Sequence, residues 1–388
     1  MAPDQISSQV PWNPLSGPGR PQAMRRLPMG PPAGPGPGKP ALATTAAVAR
    51  APLAGPAQAV HHRAAAAARW LASSTPRARI AAVAIALAAA MLGFELPRSA
   101  GAAPSYPVPY TILAGAAAEL ASPGASPPGA NDWTCRPSAA HPEPVVLVHG
   151  LLANMTDNWA TISPLLADNG YCVFALNYGA DPGVGAPLDQ IGGLQPMEHS
   201  AQDLSGFIDR VLAATGARKV DIVGHSEGAT MPYYYLKMLG GAAKVARYVG
   251  LAPVYHGTTL DGLSMLASLL AAGAPGAAAL VGQYCGSCQE FLPGSAFLAA
   301  MDATAPAVSG VLFTDIVTRM DEVVSPYTSG FLTGPNVTNI VVQDQCPLDL
   351  ADHVALAADP VAAQDVLNAL DPVHAVAPPC TAVLPFIG

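Results

Sequence analysis

One stretch limits the possible architectures more than any other: Val220-Asp221-Ile222-Val223-Gly224-His225-Ser226-Glu227-Gly228. The β-branched run reads as a buried strand, and Ala229 to Leu239 reads as a helix. Gly-x-Ser-x-Gly between them lets the strand turn at once into the helix, leaving a serine hydroxyl exposed at the sheet edge. Such a turn strains the serine backbone and crowds its neighbours. Gly224 and Gly228 therefore stand where side chains would collide. The start of the helix offers free N–H groups and a positive dipole end, a good setting for an oxyanion. Ser226 is the candidate nucleophile.

The N-terminal part of the chain has a different character. Residues 1–76 are dominated by Pro, Gly, Ala and Arg with no periodic apolar pattern, so they bury too little surface to offset their ordering entropy and are expected to be disordered. Arg77-Ala78-Arg79 then leads into the apolar run Ile80–Phe94, and Ala100-Gly101-Ala102-Ala103 follows. A basic flank, an apolar core and a small-residue site make residues 77–103 a secretory signal, with cleavage expected after Ala102 or Ala103. Left uncleaved, residues 80–96 would be a membrane anchor, although the run falls short of the roughly 20 residues that a span needs. Of the 18 basic and 26 acidic residues, ten basic and two acidic lie before residue 104, so the remainder is strongly acidic. That balance argues against nucleic acid as a partner, because phosphate binding needs a basic face. All six cysteines lie beyond residue 104, an even count that suits an exported, disulfide-bonded protein.

Residues 104–140 form a Pro/Gly-rich lead-in with one expected helix, Ile112 to Ala121. From residue 141 to 388 strands and helices alternate. Pro144–Val148, Tyr171–Leu176, Val245–Leu251, Gly310–Val317 and Val337–Val342 read as strands. Ser163–Asn169, with Ser163 as cap and Pro164 at the first helical position, and Pro196–Ala214, stopped by Gly216, read as helices. Nearly continuous apolar strands alternating with helices specify an α/β fold with a mostly parallel sheet. Leu260–Val281 is apolar with little polar relief. It is either ordinary core or an amphipathic lid whose exposed face would meet lipid.

A serine hydroxyl needs a base within hydrogen-bond reach, and the base needs a carboxylate to orient it. In this architecture the partners follow in chain order as serine, acid, histidine. Asp321 and Glu322 lie just past the strand Gly310–Val317 and are the natural acids, with Asp315 inside the strand a weaker choice. Among the histidines after Ser226, His256 comes too early and His374 sits in a Pro-rich tail, which leaves His353 as the base. Asp352 is its neighbour, but adjacent residues seldom reach the required geometry. The first strand runs straight into His149-Gly150-Leu151, where the N–H of Leu151 and that of Glu227 would form an oxyanion hole. His149 is expected to brace its loop without exchanging a proton. The chemistry needs no cofactor, and Asp344, Asp349 and Asp352 lack a recognisable metal-ligand spacing.

The segments PVVLVHG, GYCVFALNYG, KVDIVGHSEG, YYLKMLGGAAKV, TRMDEVVSPYTS and NVTNIVVQDQCPLDLADHVALAADP resemble the class 2 lipases, mainly secreted actinobacterial enzymes of the α/β-hydrolase fold. The likeness runs from about Cys135 to Cys380. It implies a serine hydrolase acting on acyl-glycerol esters, with Ser226, Asp321 in TRMDEVVSP and His353 in DHVALA as its triad. A short-chain esterase, a polyester hydrolase or an acyltransferase would use the same residues, and a catalytically dead binding protein would be expected to lack one of them. A lipid ester at a lipid–water interface is the implied partner, and a monomer is expected. Six cysteines allow 15 connectivities; proximity and the resemblance favour Cys135–Cys172, Cys285–Cys288 and Cys346–Cys380. Glu227 departs from the family, which commonly carries Gln after the serine. A carboxylate there would oppose the oxyanion, so Gln in its place is expected to raise activity modestly.

Overall fold

In the computed structural model the described residues are 105–388, except 182, 184, 186–187, 260, 263, 265–282 and 304–306. The expected disordered extension and signal segment therefore lie outside the described residues, as does nearly all of the candidate lid. Six strands, β1 (Val145–Val148), β2 (Val173–Leu176), β3 (Val220–His225), β4 (Val245–Leu251), β5 (Leu312–Val317) and β6 (Val337–Val341), form one sheet in the order β2-β1-β3-β4-β5-β6. Every neighbouring pair is parallel. Parallel pairing requires crossovers, and the helices that supply them cover both faces.

Alternation along each strand sorts the core into two layers. Val146, Val148, Phe174, Leu176 and Ile222 face the helices Met197–Thr215 and Glu227–Met238, where Leu204, Ile208, Val211, Met231 and Tyr235 are buried. Val145, Leu147, Val173, Ala175 and Val223 face Ile162, Leu166, Val361 and Val366 on the opposite side. Each such side chain taken from water contributes about 1.5–3 kcal/mol, which is why the two apolar faces dictate where the helices lie. The helix Met197–Thr215 ends where Gly216 adopts φ 75°, the left-handed cap that its sequence position predicts.

Several element boundaries shift by one or two residues, and two of the shifts bear on the site. The helix expected from Ser163 instead begins at Ile162, and its cap position is held by Thr161. Ser163 does not cap, because its hydroxyl donates to Pro128 O and Thr161's donates to Pro109 O, tying the lead-in onto the domain. Tertiary acceptors took both hydroxyls. The helix after the turn begins at Glu227 rather than Ala229, so the Glu227 N–H lies in the first helical turn, pointing back toward Ser226.

The lead-in carries the expected helix Ile112–Ala121 and is bound to the sheet by Asn131, which donates to Ala175 O and accepts from Ala175 N. Disulfides join Cys135 to Cys172, Cys285 to Cys288 and Cys346 to Cys380. No helix among the described residues is long and apolar enough to cross a membrane.

Candidate active site

Ser226 sits at the carboxyl end of β3 with φ 56° and ψ −118°, a conformation that costs a non-glycine residue on the order of 1–3 kcal/mol. The surroundings hold it there. A Cβ on Gly224 would lie 1.9 Å from Gly228 O, and one on Gly228 would lie 2.0 Å from Val148 O. Neither glycine can be replaced without moving backbone, so strand and helix pack at the closest approach the turn allows.

Loops at the same end of the sheet bring the other groups together. His353 Nε2 lies 2.9 Å from Ser226 Oγ, and His353 Nδ1 lies 2.9 Å from Asp321 Oδ2. The second oxygen of Asp321 accepts from the N–H groups of Val323 and Val324, at 3.0 and 2.6 Å. Those bonds aim the carboxylate at the imidazole, so His353 is placed with Nδ1 protonated and Nε2 free to accept from the serine. All three side chains are buried. Burial is the largest single influence on His353 and pushes its pKa down. The charge and hydrogen bond of Asp321, with the charges of Glu322 and Asp352, together outweigh it, and the net shift is upward.

The rejected candidates are occupied elsewhere. Asp315 is fully buried in β5, accepts the Tyr255 hydroxyl, and is pushed up to about 8 by desolvation. Glu322 accepts the His353 backbone N–H at 3.3 Å rather than the ring. Asp352 accepts from Val354, Ala355 and Phe386 N–H groups and serves as a loop brace. His256 Nε2 lies 3.0 Å from Phe331 O, and His374 Nδ1 lies 2.8 Å from Asp371. Asp344 is paired with Arg319, and no cluster among the described residues has the make-up of a metal site.

The β1 loop presents Leu151 over the turn. Gly150 and Leu151 share one peptide plane, and both ends of its setting are fixed. Gly150 N donates to Asn158 Oδ1 at 2.9 Å, while Gly150 O faces His149 Nδ1 at 2.9 Å. His149 Nε2 accepts from Tyr178 N, so Nδ1 carries the proton and donates to Gly150 O. Because the N–H and C=O of a trans peptide point in opposite directions, this bond turns the Leu151 N–H away from His149. Desolvation pushes His149 down to about 4, which keeps it neutral. It braces and takes no proton.

Two contributors escaped the sequence reading. Asn158 accepts from Gly150 N and lies 3.1 Å from His225 Nδ1. His225 Nε2 in turn lies 3.0 Å from the backbone oxygen of His353, linking the two loops through the strand end. Asn154 and Asp157 form a capping box that starts the short helix holding Asn158, and that pattern was the available signal. Glu227 is the residue after the nucleophile. Its side chain is fully buried in the layer beneath the loop, and desolvation raises its pKa well above the ordinary carboxylate value.

The model of the family described as Lipase (class 2) matches residues 142–366. A triacylglycerol lipase of Pseudarthrobacter phenanthrenivorans is 34% identical over 101 residues, 25% of this chain and 28% of that protein. One of Burkholderia plantarii is 34% identical over 101 residues, 25% of each. The matched stretch thus spans little more than a quarter of these curated relatives. Lipase B of Aspergillus fumigatus superposes with a TM-score of 0.50 at 17% identity, covering 66% of this chain and 57% of that one, a likeness of fold. With more than half of its length matched by the family model, the chain belongs to the class 2 lipases, hydrolases of the α/β-hydrolase fold.

Proposed function

We propose that this lipase is an exported serine hydrolase that cleaves acyl-glycerol esters through an acyl-enzyme. The observation that carries the reading is the aligned pair of 2.9 Å contacts, Ser226 to His353 and His353 to Asp321. In the proposed cycle Ser226 Oγ attacks the ester carbonyl carbon while His353 Nε2 takes its proton. Asp321 stabilises the imidazolium, and the Leu151 and Glu227 N–H groups receive the oxyanion. Collapse expels the alcohol, which leaves with the proton from His353. Water, deprotonated by the same imidazole, then releases the fatty acid and restores the serine.

Export is supported by the signal-like residues 77–103 and by three disulfides, which persist in oxidising compartments. The proposed organisation is a disordered extension (1–76), a signal, a lead-in (104–140) and a catalytic domain (141–388). N-terminal sequencing of protein recovered from culture medium checks the cleavage site. The decisive assay is hydrolysis of p-nitrophenyl esters from acetate to palmitate, with Ser226→Ala as control. Activity that rises toward long chains and vanishes in the variant is expected. A preference for acetate makes the chain an esterase, and equal activity in the variant refutes the serine mechanism.

A further inference from the structure

Glu227 follows the nucleophile, and its backbone N–H has a role in the proposed oxyanion hole, yet its side chain points into the interior. Both carboxyl oxygens are buried without a hydrogen-bond partner at bonding geometry. The groups that approach them are the hydroxyls of Tyr178 and Ser287. Neither has a proton to spare. Tyr178 donates to His149 O at 2.8 Å, and Ser287 donates to Gly193 O at 2.6 Å. Each hydroxyl can therefore only accept from Glu227. An ionised carboxylate there would face two acceptor oxygens in a fully buried layer, whereas a carboxylic acid or an amide has a hydrogen to offer.

The surroundings also bear on the loop above. A Cβ on Gly193 would lie 3.0 Å from a Glu227 oxygen and 2.9 Å from the Leu151 Cα, so the carboxyl lies directly under the oxyanion loop. Gly192 and that loop exchange two backbone bonds, Leu152 N to Gly192 O at 2.9 Å and Gly192 N to Ala153 O at 3.0 Å. The charged neighbour is of like sign. Glu290, on the segment Ser287–Glu290, accepts from Met197 N and is paired with Glu198 at the start of the helix Met197–Thr215. No cation is among the groups that act on Glu227. Tyr178 is held neutral by burial, and His149, stacked on it, is neutral as well.

We propose that Glu227 works as a neutral carboxylic acid whose proton braces the oxyanion loop, and that losing this proton at alkaline pH switches hydrolysis off. Ionisation leaves one remedy: Tyr178 or Ser287 must turn its hydrogen from a carbonyl to the carboxylate. Either turn releases a backbone oxygen, His149 O or Gly193 O, that holds the loop carrying the Leu151 N–H. Glu227 is thus a positioning residue through its side chain. Burial is the main cause that holds the folded-state pKa of Glu227 above the ordinary carboxylate value. The inference rests on the proposed serine mechanism.

The test is the pH dependence of kcat for p-nitrophenyl butyrate from pH 6 to 10 in the full chain, after subtraction of spontaneous hydrolysis. Wild-type kcat is expected to fall reversibly by tenfold or more toward the alkaline end, with little change in KM. Glu227→Gln, whose amide keeps its hydrogens at every pH in this range, is expected to stay within about threefold from pH 8 to 10. Glu227→Leu, neutral but without a donor, is expected to be slower than Glu227→Gln at every pH and to show no alkaline fall. A flat wild-type curve, or the same fall in Glu227→Gln, overturns the proposal. Equal rates in the Leu and Gln variants overturn the bracing role. Circular dichroism across the range shows that the fall is not unfolding. Full activity in Ser226→Ala would instead refute the mechanism beneath the inference, a separate outcome.

Discussion

Replacing Asp321 by Asn removes one charge and should cost far more than the charge alone. One oxygen of Asp321 is committed to two backbone N–H groups, those of Val323 and Val324. An Asn side chain keeps those bonds only with its carbonyl in that position, which places its NH2 where the other oxygen now faces His353 Nδ1 at 2.9 Å. A donor against Nδ1 forces the proton onto Nε2. The ring then presents N–H, not a lone pair, to Ser226 Oγ at 2.9 Å, and the base is lost. The carboxylate's attraction for the imidazolium disappears as well. A wrong tautomer in such a triad lowers kcat by about 10⁴-fold, or roughly 5–6 kcal/mol of barrier. Asp321→Ala leaves Nδ1 free to find water and is expected to retain more activity than Asp321→Asn. The assay is kcat for p-nitrophenyl butyrate at pH 8, with thermal melting to establish that both variants fold. A loss below tenfold in the Asn variant, or an Ala variant slower than Asn, would refute the tautomer argument.

Two further outcomes follow from the same geometry. Because the net shift on His353 is upward, and only the neutral ring can act as base, activity should disappear as pH falls through a value above the ordinary imidazole pKa of about 6.5. Glu322→Gln removes one of the charges that raise it, so the acid limb of kcat/KM should move to lower pH; an unmoved limb would count against Glu322 acting on the ring. The Cys346–Cys380 disulfide closes 34 residues of chain, from the turn preceding His353 to the tail that reaches Asp352 through Phe386 N. Replacing both cysteines by Ser should lower stability by roughly 3–4 kcal/mol on the loop-closure estimate, read from urea midpoints.

The alternation of apolar strands with helices, and the strand–serine–helix turn, were legible in the sequence because both depend on local pattern. A strand buried on both faces must be apolar at nearly every position, as Val145–Val148 is. A turn that places Gly228 against Val148 O admits no Cβ. Chain order then narrowed the histidines to His353. Other features depend on direction and contact, which no spacing records. Three acids, Asp315, Asp321 and Glu322, lie within one strand end, and only the path of the backbone after β5 aims Asp321 at the imidazole. Ser163 reads as a cap until a carbonyl from the lead-in takes its hydroxyl. His225 and Asn158 read as ordinary polar residues until folding sets them between the loops of Gly150 and His353. Glu227 makes the division plainest. Its identity is a matter of sequence, and by that alone it is a charge beside the nucleophile. Its burial is a matter of tertiary structure, which sets the carboxyl under the oxyanion loop beside two hydroxyls that donate to backbone carbonyls.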